Sequence, residues 1–136
     1  MYRVRVALLV TLFATATGYG AQAATIKDLQ GAWAMKGSKC EEIFQKVGSK
    51  IEFKDRIAST TTGLLFAGNK VAGPMAVCTV TKIRKKSSHL SAQLSCETSM
   101  IVENVSVGFD IPNPSELKRF DPFGENTYVT YRKCDL

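Results

Sequence analysis

The sequence predicts a single all-β domain: an eight-stranded antiparallel up-and-down β-barrel, stapled by disulfides. Three observations predict it. Short β-prone stretches recur at roughly ten-residue intervals with turn signals between them. No stretch sustains a helical period. The four cysteines are even in number and widely spaced, as in a small exported fold. The chain of 136 residues is one domain's worth, and its balance of 45% apolar to 22% charged residues is that of a globular protein.

The first residues are read separately. Arg3 and Arg5 form a short basic region, Val6 to Ala16 is an apolar run, and Ala21-Gln22-Ala23 is a small-x-small site. Residues 1–23 therefore read as a signal peptide cleaved near Ala23, with a retained N-terminal anchor as the alternative. The run is shorter than the roughly 20 residues a spanning helix needs. Residues 24–136 form the expected barrel domain, periplasmic or secreted, with no membrane span.

The strands follow in order. Gly31 to Lys36 (GAWAMK) is a short alternating stretch. Cys40 to Val47 makes one helical turn or two, with Ile43, Phe44 and Val47 on one side. Ser49 to Asp55 alternates with Ile51 and Phe53 facing in. Thr60 to Ala67 ends in the apolar run Leu64, Leu65 and Phe66, and Gly68-Asn69 turns. Residues 75–84 and 89–97 form a hairpin with its tip near Lys86-Ser87-Ser88. Met100 to Asp110 places Ile101, Val105, Val107 and Phe109 on one face. Residues 111–115 read as a loop, because Pro112 and Pro114 lack the donor a ladder needs. Leu117 to Phe120 is a short strand, Asp121 to Gly124 a turn, and Thr127 to Cys134 the last strand. Closing the sheet into a barrel removes its edges.

Cys40, Cys78, Cys96 and Cys134 allow three pairings. No C-x-x-C motif is present, so neither a thioredoxin-type site nor a four-cysteine zinc site fits. In the hairpin, setting Cys78 opposite Cys96 places Val80 against Leu94, Lys82 against Ala92 and Arg84 against Leu90. One face is then mostly apolar and the other polar, as a half-buried hairpin requires. Cys40–Cys134 follows by elimination, and 40–78 with 96–134 is the rival.

Leu29-Gln30-Gly31-Ala32-Trp33 opens the first strand. G-x-W at this place resembles the start of lipocalins and related calycin barrels. The resemblance implies a ligand-binding barrel whose Trp closes one end beneath an arginine of the last strand. It implies Arg132 as the partner of Trp33, with Arg119 as the alternative. The chain departs from that family in lacking a T-D-Y-type motif and a long helix before the last strand. Avidins share the barrel, but their biotin site uses several tryptophans, and Trp33 is the single one here. The cysteine pattern with Tyr131-Arg-Lys-Cys134 is also similar to small periplasmic proteins of proteobacteria, and bacterial lysozyme inhibitors are a second possible kin.

The candidate sites are few. Trp33, Phe53, Phe66, Phe109 and Tyr131, with Tyr128, are placed to line a barrel, as wall for an apolar ligand or as plain filling. Lys82, Arg84, Lys85 and Lys86 crowd a hairpin tip beside Ser87, Ser88 and His89. They suit anion binding, or keep an exposed hairpin soluble. The net charge of +6 falls to +4 without Arg3 and Arg5. That permits anionic partners without demanding nucleic acid, and export argues further against nucleic acid. His89 is the lone histidine. No H-E-x-x-H, G-x-S-x-G or phosphate loop occurs, so no enzyme, metal or cofactor is expected. The leading expectation is a non-enzymatic binding protein with a small apolar or amphipathic ligand in the barrel mouth, cationic loop residues meeting an anionic head. The alternative is a protein–protein module of the envelope, such as a lysozyme or hydrolase inhibitor, acting through loops over a filled barrel.

Overall fold

The structure is a computed structural model that describes residues 25–55, 62–86, 89–121 and 127–136. The expected leader, Ser87, Ser88 and most of the Asp121–Gly124 turn lie outside the described residues. The chain runs through a helical turn α1 (Ile26–Leu29) and strand β1 (Gly31–Met35), then a second turn α2 (Cys40–Ile43). Strands β2 (Phe44–Val47), β3 (Lys50–Phe53), β4 (Gly63–Ala67) and β5 (Lys70–Ala72) follow. The rest is β6 (Val77–Lys86), β7 (His89–Glu97), β8 (Val102–Asn113), β9 (Glu116–Phe120) and β10 (Tyr128–Lys133).

Eight strands close into a barrel in the order β1-β10-β9-β8-β7-β6-β5-β4, while β2 and β3 form a separate hairpin. Every barrel pairing is antiparallel. The fold class and the count of eight hold, with one exchange of strand. The alternating stretch around Ile51 and Phe53 lies in the extra hairpin, and its place in the barrel is taken by β5, three residues long after the Gly68-Asn69 turn.

Alternation along β1 explains both layers. Trp33 points inward, and the small Ala32 and Ala34 point outward. Their small size lets α2, β2 and β3 lie close against the outside of β1 and β4. Cys40, Ile43, Phe44, Phe53 and Cys134 build a second core there, with Leu65 and Ala72 from the outer face of the barrel. Gly63 of β4 is part of this fit. A Cβ there would stand 2.7 Å from Phe44 Cζ and 2.9 Å from Ile43 Cγ2, closer than carbon atoms approach.

Both disulfides of the local argument form: Cys78–Cys96, with Cα atoms 3.9 Å apart, and Cys40–Cys134 at 5.7 Å. Cys78 and Cys96 lie in the barrel core; Cys40 and Cys134 tie the outer layer to the end of β10.

Three local expectations are corrected. Val80 does face Leu94, but a bulge follows, so Lys82 faces Gln93, Arg84 faces Ser91 and Lys85 faces Leu90. One extra residue there turns Ile83 toward the core, where it packs. The loop expected at 111–115 shrinks to a turn at 114–115, because β8 continues to Asn113. A register shift between Asp110 and Asn113 accommodates Pro112, since a bulge asks for no ladder donor there. Ile101 precedes β8 and is exposed, not part of its inward face.

Candidate functional site

Four of the five candidate ligand aromatics meet inside the barrel. Trp33 is 0% exposed and Phe109 2%, and Phe66 and Tyr131 are buried with them beside Leu117 and Leu90. Phe66 and Phe109 meet edge to face with ring centroids 5.4 Å apart. Side chains this inaccessible touch protein atoms and not a water-sized void. Phe53 is elsewhere. It packs on Phe44, 5.0 Å between centroids, in the outer layer.

The end of the barrel where β1 begins is plugged. Trp33 Nε1 donates to the carbonyl of Leu29, 2.6 Å away. Gln30 clamps the β4–β5 turn, its amide donating to the carbonyl of Gly68 and accepting from Gly68 N–H at 3.0 and 2.8 Å. Gly31, between them, has φ +102°, a left-handed conformation that side chains resist. The cation over Trp33 is Lys133, with Nζ 4.4 Å from the ring centroid and donating to the carbonyl of Gln30. Burial pushes the Lys133 ammonium below its usual range, and Asp135 pulls it partly back.

This corrects the pair implied by the lipocalin resemblance. Side chains of β10 alternate, so Tyr131 and Lys133 face the interior and Arg132 faces out. Arg132 is exposed and donates to the carbonyl of Ser38 at 3.1 Å. Arg119 does face inward, but toward the opposite end. Its guanidinium lies 5.9 Å from the Tyr131 ring centroid, with Nε 3.4 Å from a carboxylate oxygen of Asp121. Among the described residues, that buried Nε finds no hydrogen-bond partner. Burial raises the Tyr131 phenol above its usual range; Arg119 lowers it and Asp121 raises it further.

Lys82, Arg84, Lys85 and Lys86 are all exposed. Antiparallel strand direction carries the end of β6 and the start of β7 to the plugged end, with Gly31, Lys133 and the Gly68-Asn69 turn. The run therefore stands away from the mouth, where the 73–76 and 98–101 connections lie. Among the described residues, β5 pairs with β6 only at Val77–Thr79, so Lys82–Lys86 pair on the β7 side alone. Charges on such a free edge oppose pairing with another chain's strand.

Two surface features escape a reading by residue type. Met75, Met100, Ile101 and Val102 stand exposed at the mouth, Met100 at 89%. An open cleft of ≈430 Å³ runs beside them between Pro74–Val77 and Glu97–Ser99. The second feature is a line of rings on the outside of the barrel: His89 to Phe120 at 5.9 Å and Phe120 to Tyr128 at 5.5 Å. It is assembled from three strands distant in sequence, so no local pattern announces it.

No metal-holding cluster of His, Cys, Asp or Glu occurs among the described residues. Comparison with models of protein families, with curated proteins and with solved structures finds no match. The chemistry of the site therefore rests on its own geometry.

Proposed function

We propose that this chain is an exported, non-enzymatic binding protein of lipocalin-like type that works through the outside of a filled barrel. The observation that carries this reading is the burial of Trp33, Phe66, Phe109 and Tyr131 against one another, with Trp33 at 0% exposure. A ligand entering there must first displace close-packed side chains, which costs several kcal/mol before any contact is made. Two disulfides suit an oxidising compartment. The exposed methionine-bearing loops at the mouth add support, since contiguous exposed apolar groups mark interaction surfaces.

One observation favours a second reading, a small amphipathic ligand with an anionic head. It is Arg119, inward-facing toward the mouth beside Tyr131; its buried Nε lies 3.4 Å from Asp121 and has no hydrogen-bond partner among the described residues. In that reading Arg119, not the Lys82–Lys86 run, meets the head.

Native mass spectrometry of protein purified from its own host separates the two. The expected mass is that of the disulfide-bonded polypeptide alone. Trp33, the sole tryptophan, should keep its emission across a panel of fatty acids and lipids. A co-purified small molecule whose release shifts Trp33 emission would sink the surface reading.

A further inference from the structure

We propose that the outer face of β6–β10 is a binding platform for an anionic polysaccharide, a sugar chain bearing carboxylate groups. The inference rests on the surface reading above and names its ligand class. It starts from register. Arg84 pairs with Ser91, Ser91 with Gly108, Gly108 with Phe120, and Phe120 with Tyr128. These five residues form one continuous row across five strands, about 19 Å along the curved wall of the barrel at the usual strand spacing of ~4.8 Å. All point outward, because Ile83, Leu90, Phe109, Leu117 and Tyr131, each an odd number of residues away along the same strand, turn into the core.

Gly108 makes the platform. Its missing side chain leaves a trough in the sheet, and the flanking rings close over it. A Cβ there would lie 3.2 Å from Phe120 Cβ and 3.5 Å from His89 Cδ2. Phe120 and His89 therefore rest against backbone on one side, and Tyr128, 48% exposed, extends the row. The rings are tilted to one another by 35° and 53°, and each offers an aromatic face of the kind that stacks against the C–H faces of sugar rings. Ser91 in the row, and Gln93 and Ser106 paired beside it, supply hydroxyl and amide groups for sugar hydroxyls.

Charge then selects the ligand. Lys82, Arg84 and Lys86 project outward along β6, and Lys118 lies with Nζ 4.8 Å from the Tyr128 ring centroid. Against these four cations the same rows hold one carboxylate, Asp110, opposite Lys118. In the row below, Arg132 and Glu116 face each other and cancel. The row runs over the convex outside of the closed barrel and has no walls to bury a small molecule, so an extended polymer that follows the curve fits it better. Rings with interleaved cations also suit single-stranded nucleic acid. The disulfides favour an oxidising compartment over the cytosolic and nuclear ones that hold nucleic acid.

The test is affinity electrophoresis of the whole disulfide-bonded protein through gels holding polygalacturonate, with dextran as the neutral control. Oligo-dT and vesicles with anionic lipid are run as competitors. Polygalacturonate should retard the protein, dextran should not, and raising salt should weaken retention. Tyr128→Ala, at an exposed position, should weaken binding at least about five-fold, as loss of one stacking ring does. Arg84→Ser with Lys86→Ser should weaken it too, with thermal stability unchanged in both variants. No retardation at low salt overturns the proposal. So does retention untouched by Tyr128→Ala, which is bare charge attraction, or tighter binding of oligo-dT or vesicles. If polygalacturonate fails while the native mass shows an empty barrel, the surface reading stands and only its ligand class falls. An interior ligand removes the surface reading itself.

Discussion

Gly63→Ala tests whether the outer layer is pressed onto the barrel as closely as described. The added methyl would sit 2.7 Å from Phe44 Cζ and 2.9 Å from Ile43 Cγ2. Neither neighbour yields cheaply: both are buried, and Cys40 just before them is anchored to Cys134. Overpacking of this kind costs about 1–3 kcal/mol. Gly73→Ala is the matched control. A Cβ there meets nothing within 4 Å and its φ is not left-handed, so the change should be neutral or stabilising by about 0.4–1 kcal/mol. Urea unfolding with disulfides intact reads both. With an m-value near ~2 kcal/mol/M, a loss of about 2 kcal/mol lowers the midpoint by about 1 M at constant slope. Adding Phe44→Leu to Gly63→Ala should recover part of the loss, because neighbouring sites couple. Midpoints for Gly63→Ala and Gly73→Ala within about 0.2 M of each other would refute the close fit.

The two disulfides should differ in worth. Cys40–Cys134 spans 94 residues and Cys78–Cys96 spans 18, so loop-closure entropy assigns about 4.7 and about 3 kcal/mol. Paired alanine substitutions should destabilise in that order in urea, and the reverse order would refute the entropic account. Stability at alkaline pH should carry two opposed slopes. Lys133 is lowered by burial, so its unfavourable buried charge is relieved as pH climbs toward the usual lysine range, and stability rises there. Tyr131 is raised, so above the usual tyrosine range the unfolded chain loses its proton first and stability falls. Lys133→Met should flatten the rise and Tyr131→Phe the fall; curves parallel to the parent protein's would count against both assignments.

Much of the fold was legible because it depends on period-two patterning and turn residues. Trp33, Leu94, Phe109 and Tyr131 each sit in a stretch whose alternation points them inward. The Cys78–Cys96 pair followed from a register that holds as far as Val80. Beyond that the bulge was invisible, since one inserted residue leaves composition unchanged and reverses every side chain after it. The same parity argument explains the missed cation: Arg132 and Lys133 are adjacent, and which one reaches Trp33 is decided by the face of β10 turned inward.

By itself, the sequence determined that this is a small all-β barrel with cysteines placed to cross-link, because local alternation, turn chemistry and spacing are properties of neighbouring residues. Tertiary structure alone decided which alternating segment stays outside the barrel. The β2–β3 stretch alternates as well as β5 does, and only the small outer face of Ala32, Ala34 and Gly63 offers it a seat. It alone decided that the interior aromatics pack together and that His89, Phe120 and Tyr128 form one line. Both depend on closure of the sheet, which joins residues far apart in the chain at distances set by strand spacing and register.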